Sequence, residues 1–87
     1  MEAPEFSITA NPFVVEQSRR KLSRIELMIR ELSLRAAALD KEIAAEEAKN
    51  GITDPNHFAY SSYAKAAAQR RDNLLRSIED LKQQSYF

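Results

Sequence analysis

Cysteine and tryptophan are absent from these 87 residues, glycine occurs once and proline three times. Without cysteine there can be neither a disulfide framework nor a thiolate zinc site, so nothing covalent compensates for a small core. One glycine and three prolines supply too little turn chemistry for a multi-stranded sheet. Neither sign of charge is in excess, at 13 Lys+Arg against 13 Asp+Glu. The chain therefore lacks the long-range field of a dedicated nucleic-acid or anionic-lipid binder, and neither nucleic acid nor a small-molecule substrate is expected. No apolar run approaches the ~20 residues that span a bilayer. The opening Met1–Ala10 carries Glu2 and Glu5 where a secretory leader would be basic, which predicts a cytoplasmic protein.

What remains is helical. A hydrophobic share of 44% is too high for full disorder. Residues 1–11 show no sustained periodicity and contain Pro4, which predicts a flexible N-terminal tail. Asn11-Pro12 is a helix start, because the Asn side chain can accept from a free backbone N–H and proline at the first position gives up a donor that had no partner. No breaker follows until Asn50-Gly51, where glycine can take the left-handed conformation that closes a helix. Asp54-Pro55 repeats the start signal ahead of the Ala-rich run 64–68. The expected organisation is helix 1 over about 12–49, a turn at 50–53 and helix 2 over about 54–85, roughly 57 and 48 Å long at 1.5 Å per residue.

Both segments carry a heptad seam. Leu22, Ile25, Ile29, Leu32, Ala36, Leu39 and Ile43 alternate spacings of three and four, and Tyr60, Ala64, Ala67, Arg71, Leu74, Ile78, Leu81 and Ser85 do the same, with Arg71 the one misfit. Antiparallel pairing requires facing residue numbers to add to a constant. A constant of 103 sets Ile43 against Tyr60, Ala36 against Ala67, Ile25 against Ile78 and Ser18 against Ser85, with the reversal between Gly51 and Ile52. The predicted fold is all-α, an antiparallel two-helix coiled-coil hairpin with that tail. Each buried Leu or Ile contributes ~1.5–3 kcal/mol while each ordered residue costs roughly 1–2 kcal/mol of backbone entropy, so the isolated hairpin should be marginal.

No catalytic constellation is present: there is one histidine, His57, no Gly-rich phosphate loop and no paired acids across a cleft. The expectation is a nonenzymatic protein without catalytic, cofactor or metal residues and without a cofactor. Candidate protein-binding residues fall at the two ends. Phe58, Tyr60 and Tyr63 crowd the turn, with only Tyr60 on the seam, so Phe58 and Tyr63 should be exposed as potential hot-spot rings. Arg19, Arg20 and Arg24, with Lys21, make the open end basic, whereas Asp40, Glu42, Glu46 and Glu47 make the tip end of helix 1 acidic, a distribution that opposes the helix dipole. A solvated helix surface is the plain reading of the basic cluster, and docking on an acidic partner is the sharper one.

The block Gly51-Ile-Thr-Asp-Pro-Asn-His-Phe-Ala-Tyr60, continuing through Ser62-Tyr63-Ala-Lys-Ala-Ala67 to Gln69-Arg-Arg-Asp-Asn-Leu74, resembles the flagellar export protein FliJ of alphaproteobacteria. Phe13–Leu22 and Leu39–Glu47 are similar to the same family, so the resemblance covers most of residues 13–82. It implies a cytoplasmic coiled-coil stalk, peripheral at the inner face of the membrane, that works in flagellar protein export and motility. Its partners would be the export ATPase, the cytosolic domain of the export gate and export chaperones. A second copy is a further candidate partner, and the competing readings are a structural oligomerisation module forming a dimeric four-helix bundle, or a hairpin regulator that inserts Asp54 and its neighbours into a larger enzyme.

Overall fold

The computed structural model describes residues 11–85. The expected tail therefore lies outside the described residues except for Asn11. Two helices, α1 (Pro12–Asn50) and α2 (Ser62–Gln84), pack antiparallel as a hairpin, and no strand occurs among the described residues. The molecule is a rod of 71 × 18 × 14 Å.

The ends of α1 are set by the residues that the sequence nominates. Asn11 is extended, and its side-chain oxygen accepts from the backbone N–H of Phe13 (3.1 Å) and of Val14 (3.3 Å). Pro12 occupies the first helical position. At the other end Gly51 is left-handed, with φ 73°, and its N–H donates to the Glu47 carbonyl at 2.8 Å.

The start of α2 differs from expectation. Asp54-Pro55 does not open a helix; instead the Asp54 side chain accepts from the Asn56 N–H at 2.9 Å, and the Asp54 carbonyl accepts from the His57 N–H at 3.0 Å. That is an Asx-stabilised turn with proline inside it. A second turn follows, with the Tyr60 N–H donating to the His57 carbonyl at 3.0 Å, and only then does Ser61 cap α2, its Oγ accepting from the Ala64 N–H at 3.1 Å. An Asp or Asn before proline serves both as helix cap and as turn former, and here the turn is continued by successive three-residue closures rather than a helical ladder. The helix 2 expected from residue 54 is thus 23 residues long, and the chain reverses through an eleven-residue loop, Gly51 to Ser61, rather than through residues 50–53 alone.

The seam uses the residues that the heptads nominate, but its register is shifted by about one helical turn or more from the expected constant of 103, because the longer loop moves the reversal beyond Ile52. Ile43 packs on Ala64 and Ala67, and Tyr60 and Ser61 reach Glu47 and Glu46. Ile25, Ala36 and Ile43 of α1 and Ala64, Ala67 and Ile78 of α2 are buried, and Ile29, Leu32, Leu39, Tyr60, Arg71, Leu74, Leu81 and Ser85 are half-buried. Ile43, Ala64 and Ala67 form the core near the tip, with Leu39, Tyr60 and Ala68 packed around them. Alanine at 64 and 67 lets the helix axes approach closely, and Ile43 fills the space between them. The seam loosens toward the open end: Leu22 is 42% exposed and Ser18 is exposed, because α2 ends beside them.

Candidate functional site

At the tip the aromatic residues divide in function. Phe58 is 95% exposed, with the ring of its neighbour His57 stacked on it at a centroid separation of 4.7 Å. His57, expected in the first turn of helix 2, lies in the loop, where its Nδ1 accepts from the Ala59 N–H at 3.0 Å. Tyr60 is half-buried against the Ile43 core, and its hydroxyl donates to Glu47 Oε2 at 2.6 Å. Tyr63 is 55% exposed, and its hydroxyl donates to Glu42. Tyr60 and Tyr63 are therefore struts from the returning chain to α1, and of the three candidate rings only Phe58 is free of a tertiary role. Each carboxylate hydrogen bond holds its phenol's pKa above the ordinary value of 10.0, chiefly because ionisation would remove the proton that the phenol donates, with desolvation and the carboxylate's charge acting in the same direction.

These contacts explain the acidic end of α1. Acids near a helix C-terminus face the negative pole of the dipole, yet each has a partner. Glu42 and Glu47 accept from the tyrosines, Glu46 Oε1 accepts from Ser61 Oγ at 3.1 Å and from Asn50 Nδ2 at 3.3 Å, and Asp40 Oδ1 accepts from Arg71 at 2.9 Å. Their signal was positional: the antiparallel register brings Tyr60, Ser61 and Tyr63 alongside this stretch, each within about one helical turn of its expected layer, whereas Arg71 meets Asp40 about two turns from the Leu32 expected opposite it.

Arg71, the misfit in the seam, is half-buried there, and its guanidinium bridges Asp40 across the helix pair at 2.9 Å and Asp72 beside it at 3.2 Å. Hydrogen bonding to Asp40 raises its pKa further above the ordinary value. Among flanking charges, Lys82 pairs with Glu79 one turn away at 3.5 Å.

At the open end Arg19, Arg20 and Arg24 lie together, lining a shallow groove with Glu16 and Ser23. Arg20 Nε is 3.2 Å from Glu16 Oε2, an exposed pair one helical turn apart. Within one chain the basic cluster and Phe58 therefore sit at opposite ends of the rod. Among the described residues no three His, Asp or Glu gather closely enough to hold a metal ion, and no described helix is long and apolar enough to cross a membrane.

One side of the hairpin is incompletely packed. A groove of about 470 Å³ runs between the helices over Ala38, Leu39 and Leu74, with Arg35, Glu42, Arg70 and Asn73 at its rim. A shallower hollow beside it, at Met28, Glu31 and Leu32, shares Arg35.

Comparison of the chain with models of known families, with curated proteins and with solved structures finds no match.

Proposed function

We propose that this chain is a nonenzymatic coiled-coil adaptor, a rod that holds two partners at a fixed separation through chemically different ends. More particularly, we propose a stalk of the flagellar type III export apparatus that couples the export ATPase to the cytosolic domain of the export gate and to export chaperones, at the inner face of the cytoplasmic membrane. The observation that carries the adaptor reading is Phe58, a phenylalanine 95% exposed at the extremity of a 71 Å rod. An exposed ring with no intramolecular role is suited to a hot spot. The opposite end supports the reading with Arg19, Arg20 and Arg24 clustered for an acidic surface. The assignment to flagellar export rests on the resemblance of residues 13–82 to FliJ.

The test is capture of the purified full chain by the export ATPase and, separately, by the cytosolic domain of the gate. Phe58→Ala should abolish capture by one of them, and Arg19→Glu with Arg24→Glu should abolish capture by the other. Absence of capture by both wild-type partners overturns the export reading. The alternative of a structural oligomerisation module is favoured by the open groove at Leu39 and Leu74. Insertion of the tip into a larger enzyme has less support, because Asp54 is occupied in capping its own turn.

A further inference from the structure

The side of the hairpin that carries the groove combines three features. Its floor is apolar and only half covered: Leu32, Leu39 and Leu74 are half-buried seam residues, Met28 is 47% exposed and Leu22 is 42% exposed. Its two hollows are adjacent, with Arg35 lining both the one over Leu32 and the one over Leu39. Its charge is polarised along the helix, with Lys21 and Arg24 toward the open end and Glu42 and Glu46 toward the tip. A surface basic at one end and acidic at the other is complementary to itself when reversed.

We propose that this groove receives a second copy of the chain, packed antiparallel about a two-fold axis to form a four-helix bundle. The register follows from charge. Placing Glu31 against Arg35 of the second copy makes that pair twice, by symmetry, and places Arg24 against Glu42, Arg20 against Glu46 and Met28 against Ala38 of the second copy. All of these α1 residues except Arg20 and Glu46 fall on the two heptad positions that line the groove side. The axis then passes beside Ser33, close to the midpoint of α1, so the rods overlap over nearly their whole length. A face 71 Å long and 14 Å wide is on the order of 1,000 Å², enough for the ~800 Å² per partner of a standard stable interface. Tyr63 does not block the pairing, because a carboxylate accepting one phenol keeps lone pairs for a guanidinium. The proposal needs none of the export partners and competes with the adaptor reading, since an antiparallel pair has two like ends and engages Arg20 and Arg24 in the dimer.

The experiment uses the full chain, whose lack of cysteine allows single thiols to be placed at will. Sedimentation equilibrium should give twice the 9.9 kDa chain mass. Glu31→Arg and Arg35→Glu, each alone, should weaken the dimer by roughly tenfold or more, since each sets like charges together twice. Mixing the two variants should restore a one-to-one dimer. Met28→Cys mixed with Ala38→Cys should cross-link under oxidation, while neither does so alone. Circular dichroism of each variant verifies that α1 and α2 remain folded. A monomeric wild-type chain overturns the proposal. So does a dimer in which Met28→Cys cross-links to itself, which signifies parallel packing.

Discussion

Ile43 is the side chain on which the tip depends most. It is 8% exposed, and its core neighbours Ala64 and Ala67 are too small to move into the space it would leave. Ile43→Ala removes three carbons from this layer, and the flanking Leu39 and Tyr60 cannot both close the gap, because Tyr60 is tied to Glu47. Large-to-small core substitutions of this kind cost about 2–5 kcal/mol. A value near 3 kcal/mol is expected, since the site lies at the edge of the rod and admits some collapse. For a domain of this size each kcal/mol shifts Tm by about 4–8 °C, so the midpoint should fall by on the order of 10–20 °C, measured by circular dichroism at a fixed protein concentration. Phe58→Ala, at a ring 95% exposed, is the internal control and should move Tm by no more than ~0.5 kcal/mol implies. Equal midpoints for Ile43→Ala and wild type would refute the assignment of the Ile43, Ala64 and Ala67 layer as the core.

Other consequences follow from the caps and the polar struts. Gly51→Ala should cost about 1–2 kcal/mol in urea unfolding, from the left-handed backbone alone, because a Cβ there meets nothing within 4 Å. Ser61→Ala should cost about 1 kcal/mol by the same assay, as it removes the cap of α2, whereas Asp54→Ala should leave the helix content measured by circular dichroism unchanged. The two tyrosines have folded pKa values raised above 10.0; their contribution is fully present below that pH and is lost as pH rises through the folded values. Urea midpoints should therefore decline above about pH 10 in the wild type, and this decline should be reduced in Tyr60→Phe with Tyr63→Phe. Arg71→Leu should leave stability unchanged or raise it, since it exchanges a partly exposed ion pair for apolar seam contact, and thermal melts would show this.

The helical hairpin was legible because its determinants are local or periodic. Asn11-Pro12 and Asn50-Gly51 each have one good structural use, and unbroken three-four spacing admits one buried face. The start of α2 was not legible because Asp54-Pro55-Asn56 satisfies two local rules at once, and the choice between turn and helix falls to which carbonyl the His57 and Tyr60 N–H groups reach. Of the tip residues, exposure of Phe58 and burial of Tyr60 follow from the heptad phase. The carboxylate partners of Tyr60 and Tyr63 do not, since a charge at a flanking position is equally at home in water. The same ambiguity hid the pairing of Arg71 with Asp40, which becomes visible only when the two helices are aligned.

The central claim is that the chain doubles back once at the Gly51–Ser61 loop. Spin labels on cysteines introduced at Arg24 and Glu79, in chain diluted with unlabelled protein so that only intramolecular pairs count, test it by pulsed dipolar spectroscopy. The hairpin predicts a separation of about 20–30 Å, an interaxial distance of ~10 Å plus two label arms. A distance near the ~80 Å of an uninterrupted helix between those positions would contradict it.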